Sequence, residues 1–267
     1  MRMREAQILL RARRIAEERA RLTAALERAL VLDVQRWLAK VGALAASQLR
    51  AGHTHRAEFA AHTLAPRLLR TLTARLRDAA EAAARMVIRD LEKAAPGALE
   101  RKGFIADVIA AATRWVQHYA AARVVQITES TRKILRRTIE QAIDEPEGYR
   151  DTAKRIREVT EGEIGRNRAM RIARTEVHGA TERGNIEAVR ATGFAYEKRW
   201  AAVHDKRTRH AHLEADGQQV PLNEKFRVGG YLMDFPGDQS APPSMTIACR
   251  CVTQNIPVIP GLSLPSR

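Results

Sequence analysis

The sequence predicts a mainly α protein, with long N-terminal helices followed by a small α+β C-terminal module. Three observations carry that prediction. Apolar residues recur at helical spacing through the first half, as in Leu22, Leu26, Leu30, Val34 and Leu38. Aromatic residues are only 4% of a chain that is 45% hydrophobic, so the core must be Ala, Leu, Ile and Val, which favours close helix packing over a β-sandwich. After Phe194 the helical period stops, and short runs punctuated by Gly and Pro take over.

The elements follow in order. Residues 1–49 contain no proline and one glycine, Gly42, and read as one long helix. A turn is expected at 51–54. A second helix should span 56–93, with Pro66 either kinking it or marking a start. Ala95, Pro96 and Gly97 break the pattern, and a third long helix is expected over 104–143. The acidic stretch 144–148, with Pro146 and Gly148, is the best candidate boundary. It divides the chain into a helical region (1–148), an α+β module (149–256) and a proline-containing tail (257–267). Periodicity leaves a compact bundle and an extended arm both open for residues 1–143.

Within the module a short helix is expected over 149–159. Thr160 and Glu163 form a capping-box pattern that opens another helix running to Ala191, with Gly193 as its C-cap. Residues 196–203 read as a strand and 208–214 as a turn of helix. Residues 218–220 and 226–233 are expected to pair around a turn, and 247–252 to form a final strand. The tail is expected to be extended or docked on a partner.

The chain of 267 residues carries a formal charge of +15 and a pI near 10.7. Such a charge points to nucleic acid as a partner, and to an acidic protein surface second. Residues 1–160 hold 31 Lys and Arg against 19 Asp and Glu, whereas residues 161–267 hold 15 against 12, so the excess sits in the helices. Arginine outnumbers lysine, as suits bidentate phosphate or carboxylate contacts, although a high-GC genome biases composition the same way. The two cysteines cannot build a disulfide scaffold. A charged N-terminus without an apolar run fits no signal peptide, and no window fits a membrane span. A reducing cytoplasm is the expected site of synthesis. The absence of a phosphate-binding Gly-x4-Gly-Lys loop, a His-Glu-x-x-His helix and a Gly-x-Ser-x-Gly elbow argues against an ATPase, a zincin and an α/β-hydrolase.

Four groups of residues could carry chemistry. Arg171, Arg174, Thr175 and His178 share a helix face, with Glu176 off it. The face reads as an ion-paired surface that docks the module. It also admits a nuclease in which His178 acts as general base beside Arg171. His210, His212, Cys249 and Cys251 are residue types that hold zinc. On a strand the two cysteines would point the same way, and without metal they would serve as small buried hydrophobes. Asp205, Arg207, Arg209 and Asp216 crowd a charged loop ending in the turn pair Asp216-Gly217, and either fix that loop or touch phosphate. Trp200 reads as a core anchor.

The order and spacing of these pieces resemble the phage Mu F-like minor head proteins, the head-morphogenesis family of tailed phages. The residues that carry the resemblance are Ala173-Arg174-Thr175-Glu176, Gly193, Lys198 and Trp200, the segment from Asp205 through Arg207, His212 and Asp216 to Gly217, and Cys249-Arg250-Cys251. They cover about the last 100 residues. Many members hold Cys-x-x-Cys where this chain has Arg209 and His212, and a His before the Cys-Arg-Cys that is missing here. If those relatives bind zinc, this version has lost ligands. The resemblance implies a non-enzymatic minor capsid protein without a cofactor. Its implied partners are portal and capsid subunits and double-stranded DNA bound non-specifically, with no membrane. It implies several copies in an assembly, located at the portal vertex or capsid interior of a virion. Some relatives carry toxin domains after this module, for which the tail is expected to leave no room.

Overall fold

A computed structural model describes residues 2–94, 103–145 and 148–258. The chain is built from α1 (Arg2–Arg50), α2 (Thr54–Glu58), α3 (Ala60–Thr63), α4 (Ala65–Ala94), α5 (Phe104–Thr113), α6 (Val116–Asp144), α7 (Tyr149–Thr160), α8 (Glu163–Thr192), β1 (Tyr196–Ala201), α9 (His210–Glu214), β2 (Gln219–Pro221), β3 (Phe226–Val228), β4 (Tyr231–Met233), α10 (Pro243–Thr246) and β5 (Val252–Pro257). The mainly α class, with strands confined to a small C-terminal module, is borne out. No helix among the described residues is long and apolar enough to cross a membrane. Ala95, Pro96 and Gly97, Pro146, and the tail beyond Val258 lie outside the described residues.

Contacts divide the chain into two compact units. The first holds residues 1–26, 76–114 and 174–267; the second holds 27–75 and 115–173. In the second unit, α2 and α3 pack on α6, and α6 packs on α7. The buried stripe of α6, with Val116, Ala120, Val124, Ile127, Leu135 and Ile139, follows the helical period. Trp37 donates its indole N–H to Leu64 O at 3.0 Å. Arg132 bonds Glu58 and Glu129 and stacks its guanidinium over Phe59, 5.1 Å from the ring centre.

Two buried apolar clusters lie in the first unit. Ala84, Val87, Ile88 and Leu91 of α4 meet Phe104 and Val108 of α5 and Ile186 and Val189 of α8. Trp200, Phe226, Val228, Met233, Met245, Cys249 and Cys251 form the second. A three-stranded antiparallel sheet runs in the order β2-β1-β5, and β3 pairs with β4 as a separate hairpin.

Several boundaries depart from expectation. The second helix is three: α2 and α3 precede α4, and Pro66 lies in the first turn of α4, where a missing N–H costs nothing. The third helix breaks at Arg114 and Trp115. Thr160 does not form a capping box. Its hydroxyl donates back to Ile156 O at 2.7 Å, and Glu163 N donates instead to Glu158 Oε1 at 3.0 Å. Residues 218–220 do not pair with 226–233, because Asp216-Gly217 turns the chain so that β2 returns along β1. The β3–β4 hairpin closes through Gly229 and Gly230, both at positive φ, as a two-residue turn of the hairpin type requires. The last strand starts at Val252, beyond the cysteines rather than through them.

Candidate functional site

Helix α8 supplies one side of the module. Residues 175–182 are all buried, although Thr175, Glu176, His178, Thr181 and Glu182 are polar. A helix enclosed on all sides by protein must satisfy such groups internally. Thr175 Oγ1 accepts the Ala248 N–H at 3.0 Å. Ala248 is the one non-glycine residue with a positive φ, 53°, among the described residues, so this bond holds strained backbone beside Cys249. Arg174 is half-buried and Glu176 buried.

Arg171 and His178 do not come together as a surface pair. Arg171 is exposed, whereas His178 is enclosed and its Nε2 has no hydrogen-bond partner. Burial pulls the His178 pKa down, and a hydrogen bond with the Pro236 backbone opposes this only in part.

The charged loop is held by its own side chains. The Arg250 guanidinium bonds both carboxylate oxygens of Asp205, one of them at 2.6 Å. Asp205 also accepts from Arg207 N at 2.9 Å and Thr208 Oγ1 at 3.2 Å, and Arg250 holds its pKa below the usual carboxylate range. The Arg207 side chain is exposed. Asp216 accepts from Ala202 N at 2.8 Å and lies 2.8 Å from His204 Nε2. Arg209 Nη2 donates to Ile247 O at 2.7 Å, and Gly217 N to Trp200 O at 2.9 Å.

Trp200, fully buried, meets His212 and Phe226 edge-on, each ring centre 5.4 Å away. Behind it His212 Nδ1 lies 3.4 Å from Cys251 Sγ and 3.7 Å from Cys249 Sγ, and all three residues are buried. His210 is not part of this group. Its side chain is 86% exposed and faces Glu214 at 3.4 Å. Three of the four candidate zinc residues therefore converge, on α9 and on irregular backbone before β5. Cys249 hydrogen-bonds to Cys251 and pulls the Cys251 pKa down to about 5, with help from His212; the same bond, together with burial, pushes Cys249 up.

Two buried polar networks lie outside the four residue groups that the sequence singles out. The buried Arg19 guanidinium bonds Glu182 Oε1 at 3.1 Å, Asn185 Oδ1 at 2.9 Å and Thr253 O. Glu182 Oε2 accepts Thr253 N at 2.9 Å, and Asn255 Nδ2 bonds Asn185 Oδ1 at 2.9 Å. A signal was available: Ala12, Ala16, Arg19 and Thr23 fall at i, i+4, i+7 and i+11, one buried helical face. In the second network Lys198, also buried, donates to Asp234 O at 2.8 Å and to the Asp234 carboxylate, which Arg190 Nη2 also reaches at 2.9 Å.

The family model described as Phage Mu protein F like protein matches residues 133–254. The NAD(+)–arginine ADP-ribosyltransferase EFV of Enterococcus faecalis is 34% identical over 122 residues, 45% of this chain and 24% of that protein. Minor head protein GP7 of Bacillus phage SPP1 is 30% identical over 133 residues, 48% of this chain and 41% of that protein. The chain thus spans well under half the length of these relatives. No solved structure matches it significantly.

Proposed function

We propose, on the premise that residues 133–254 belong to the Phage Mu protein F like family, that the chain is a minor head protein of a tailed phage. The observation that carries this reading is the family match, joined by the similarity to a protein named minor head protein. The chain joins portal or capsid subunits in several copies and resides in the virion, at the portal vertex or capsid interior. Exposed basic residues contact packaged DNA. On α7, Arg150, Lys154 and Arg157 are exposed at i, i+4 and i+7, along one face. Such contacts release counterions from phosphate and carry no sequence information.

The polar residues of the family signature fit a structural role: Asp205, Asp216, Arg250 and Thr175 all bond within the module. The test is retention of double-stranded DNA against salt. Strong retention at low salt that falls steeply as salt rises supports the DNA contact. Absent retention at low salt, or retention indifferent to salt, rejects it.

A second reading, an enzyme, has its own observation in the relative named as an ADP-ribosyltransferase. Incubating the protein with NAD+ and an arginine-rich acceptor, and separately with RNA and DNA, separates the two. A head protein releases no nicotinamide and cuts no strand.

A further inference from the structure

We propose that His212, Cys249 and Cys251 bind a zinc ion that cross-links α9 to the segment before β5. The argument starts from distance. With Zn–S near 2.3 Å and Zn–N near 2.05 Å, a tetrahedral ion sets the N···S separation at about 3.6 Å. The two observed separations from His212 Nδ1, 3.4 and 3.7 Å, straddle that value. All three ligand atoms lie within 4.8 Å of one another, so the two sulfurs also lie within reach of a shared ion.

Ligand type supports the same conclusion: cysteine sulfur and imidazole nitrogen are the donors zinc takes, and soft sulfur selects it over the hard cations.

The surrounding loop holds the ligands from both sides before any ion arrives. Arg209, three residues before His212, bonds Ile247 O; Thr175 bonds Ala248 N; Arg250, between the cysteines, bonds Asp205. The described residues supply three ligands, so the fourth position falls to a small non-protein ligand. Because all three ligands are buried, the ion acts as a cross-link rather than a centre open to substrate. This inference does not depend on a role in phage heads.

The test uses the full chain, purified under reducing conditions and loaded with Zn2+ or Co2+. The expected result is one metal retained per chain after gel filtration. The Co2+ form should show the sulfur-to-metal charge-transfer absorption of a thiolate complex. Retained metal should fall at least tenfold in Cys249→Ser and Cys251→Ser, and His210→Ala, altered at an exposed neighbour, should keep it. The wild-type measurements stand even if a serine variant fails to fold. A folded wild-type chain that holds neither metal, with both thiols open to alkylation or joined to each other, would overturn the proposal. So would metal that survives both serine substitutions, or that depends on His210.

Discussion

Removing the Glu182 carboxylate would leave the Arg19 guanidinium buried with a charge that Asn185 and the Thr253 carbonyl cannot cancel. Breaking a buried ion pair from one side costs about 3–5 kcal/mol, far more than losing an exposed pair. Glu182→Ala should therefore lower unfolding stability by that amount in a urea titration, whereas Glu17→Ala, which loses an exposed i,i+4 partner of Arg13, should change it by less than about 0.5 kcal/mol. Asp234 gives a pH signature. Burial pushes its pKa up, but the bonds from Arg190 and Lys198 outweigh this and leave it lowered. Its folded pKa thus lies below its unfolded one, so its contribution is complete above the ordinary carboxylate range and is lost as pH falls below about 4. The melting temperature of the wild type should drop more steeply on acidification than that of Asp234→Asn. Equal slopes would show that the carboxylate is not held this way.

The close approach of α4 and α8 rests on a missing side chain. A Cβ on Gly184 would lie 2.6 Å from Ala80 Cα, a backbone atom that cannot swing aside. Alanine is the better helix former by about 1 kcal/mol, yet overpacking costs about 1–3 kcal/mol, so Gly184→Ala should destabilise. A melting temperature at or above wild type would refute this packing. At the same scale lies the boundary between what could be read and what could not. The long period of Leu30, Val34 and Leu38 predicted α1, and Gly193, at φ 73°, stands just beyond the end of α8 as expected of a C-cap. Helix α8 misled for a physical reason. It is polar by composition but buried through its middle, and only tertiary partners such as Arg19, far away in sequence, make that tolerable. Strand pairing differs from expectation because a period of two identifies strands and not their partners. The feature that does specify a pair is the Gly229-Gly230 turn between β3 and β4.

For the whole molecule the +15 charge is the property with the most direct consequence. Each phosphate neutralised on duplex DNA contributes about 0.9 to the log–log salt slope. Replacing Arg150, Lys154 and Arg157 together by glutamine should reduce that slope by about 3 if α7 lies on DNA, and leave the fold intact because all three side chains are exposed. An unchanged slope would move the contact to another basic face. The candidate site was legible in type and over-inclusive in membership. Cys249, Cys251 and His212 stand together, whereas His210 points to solvent, a distinction that depends on which side of one short helix each histidine occupies. The most direct measurement is the protein content of purified, DNA-filled particles made by the genome that encodes this chain. A minor head protein will co-sediment with those particles at a fixed, multiple copy number. Its absence from both filled and empty heads, together with release of nicotinamide from NAD+ by the purified chain, would contradict that assignment.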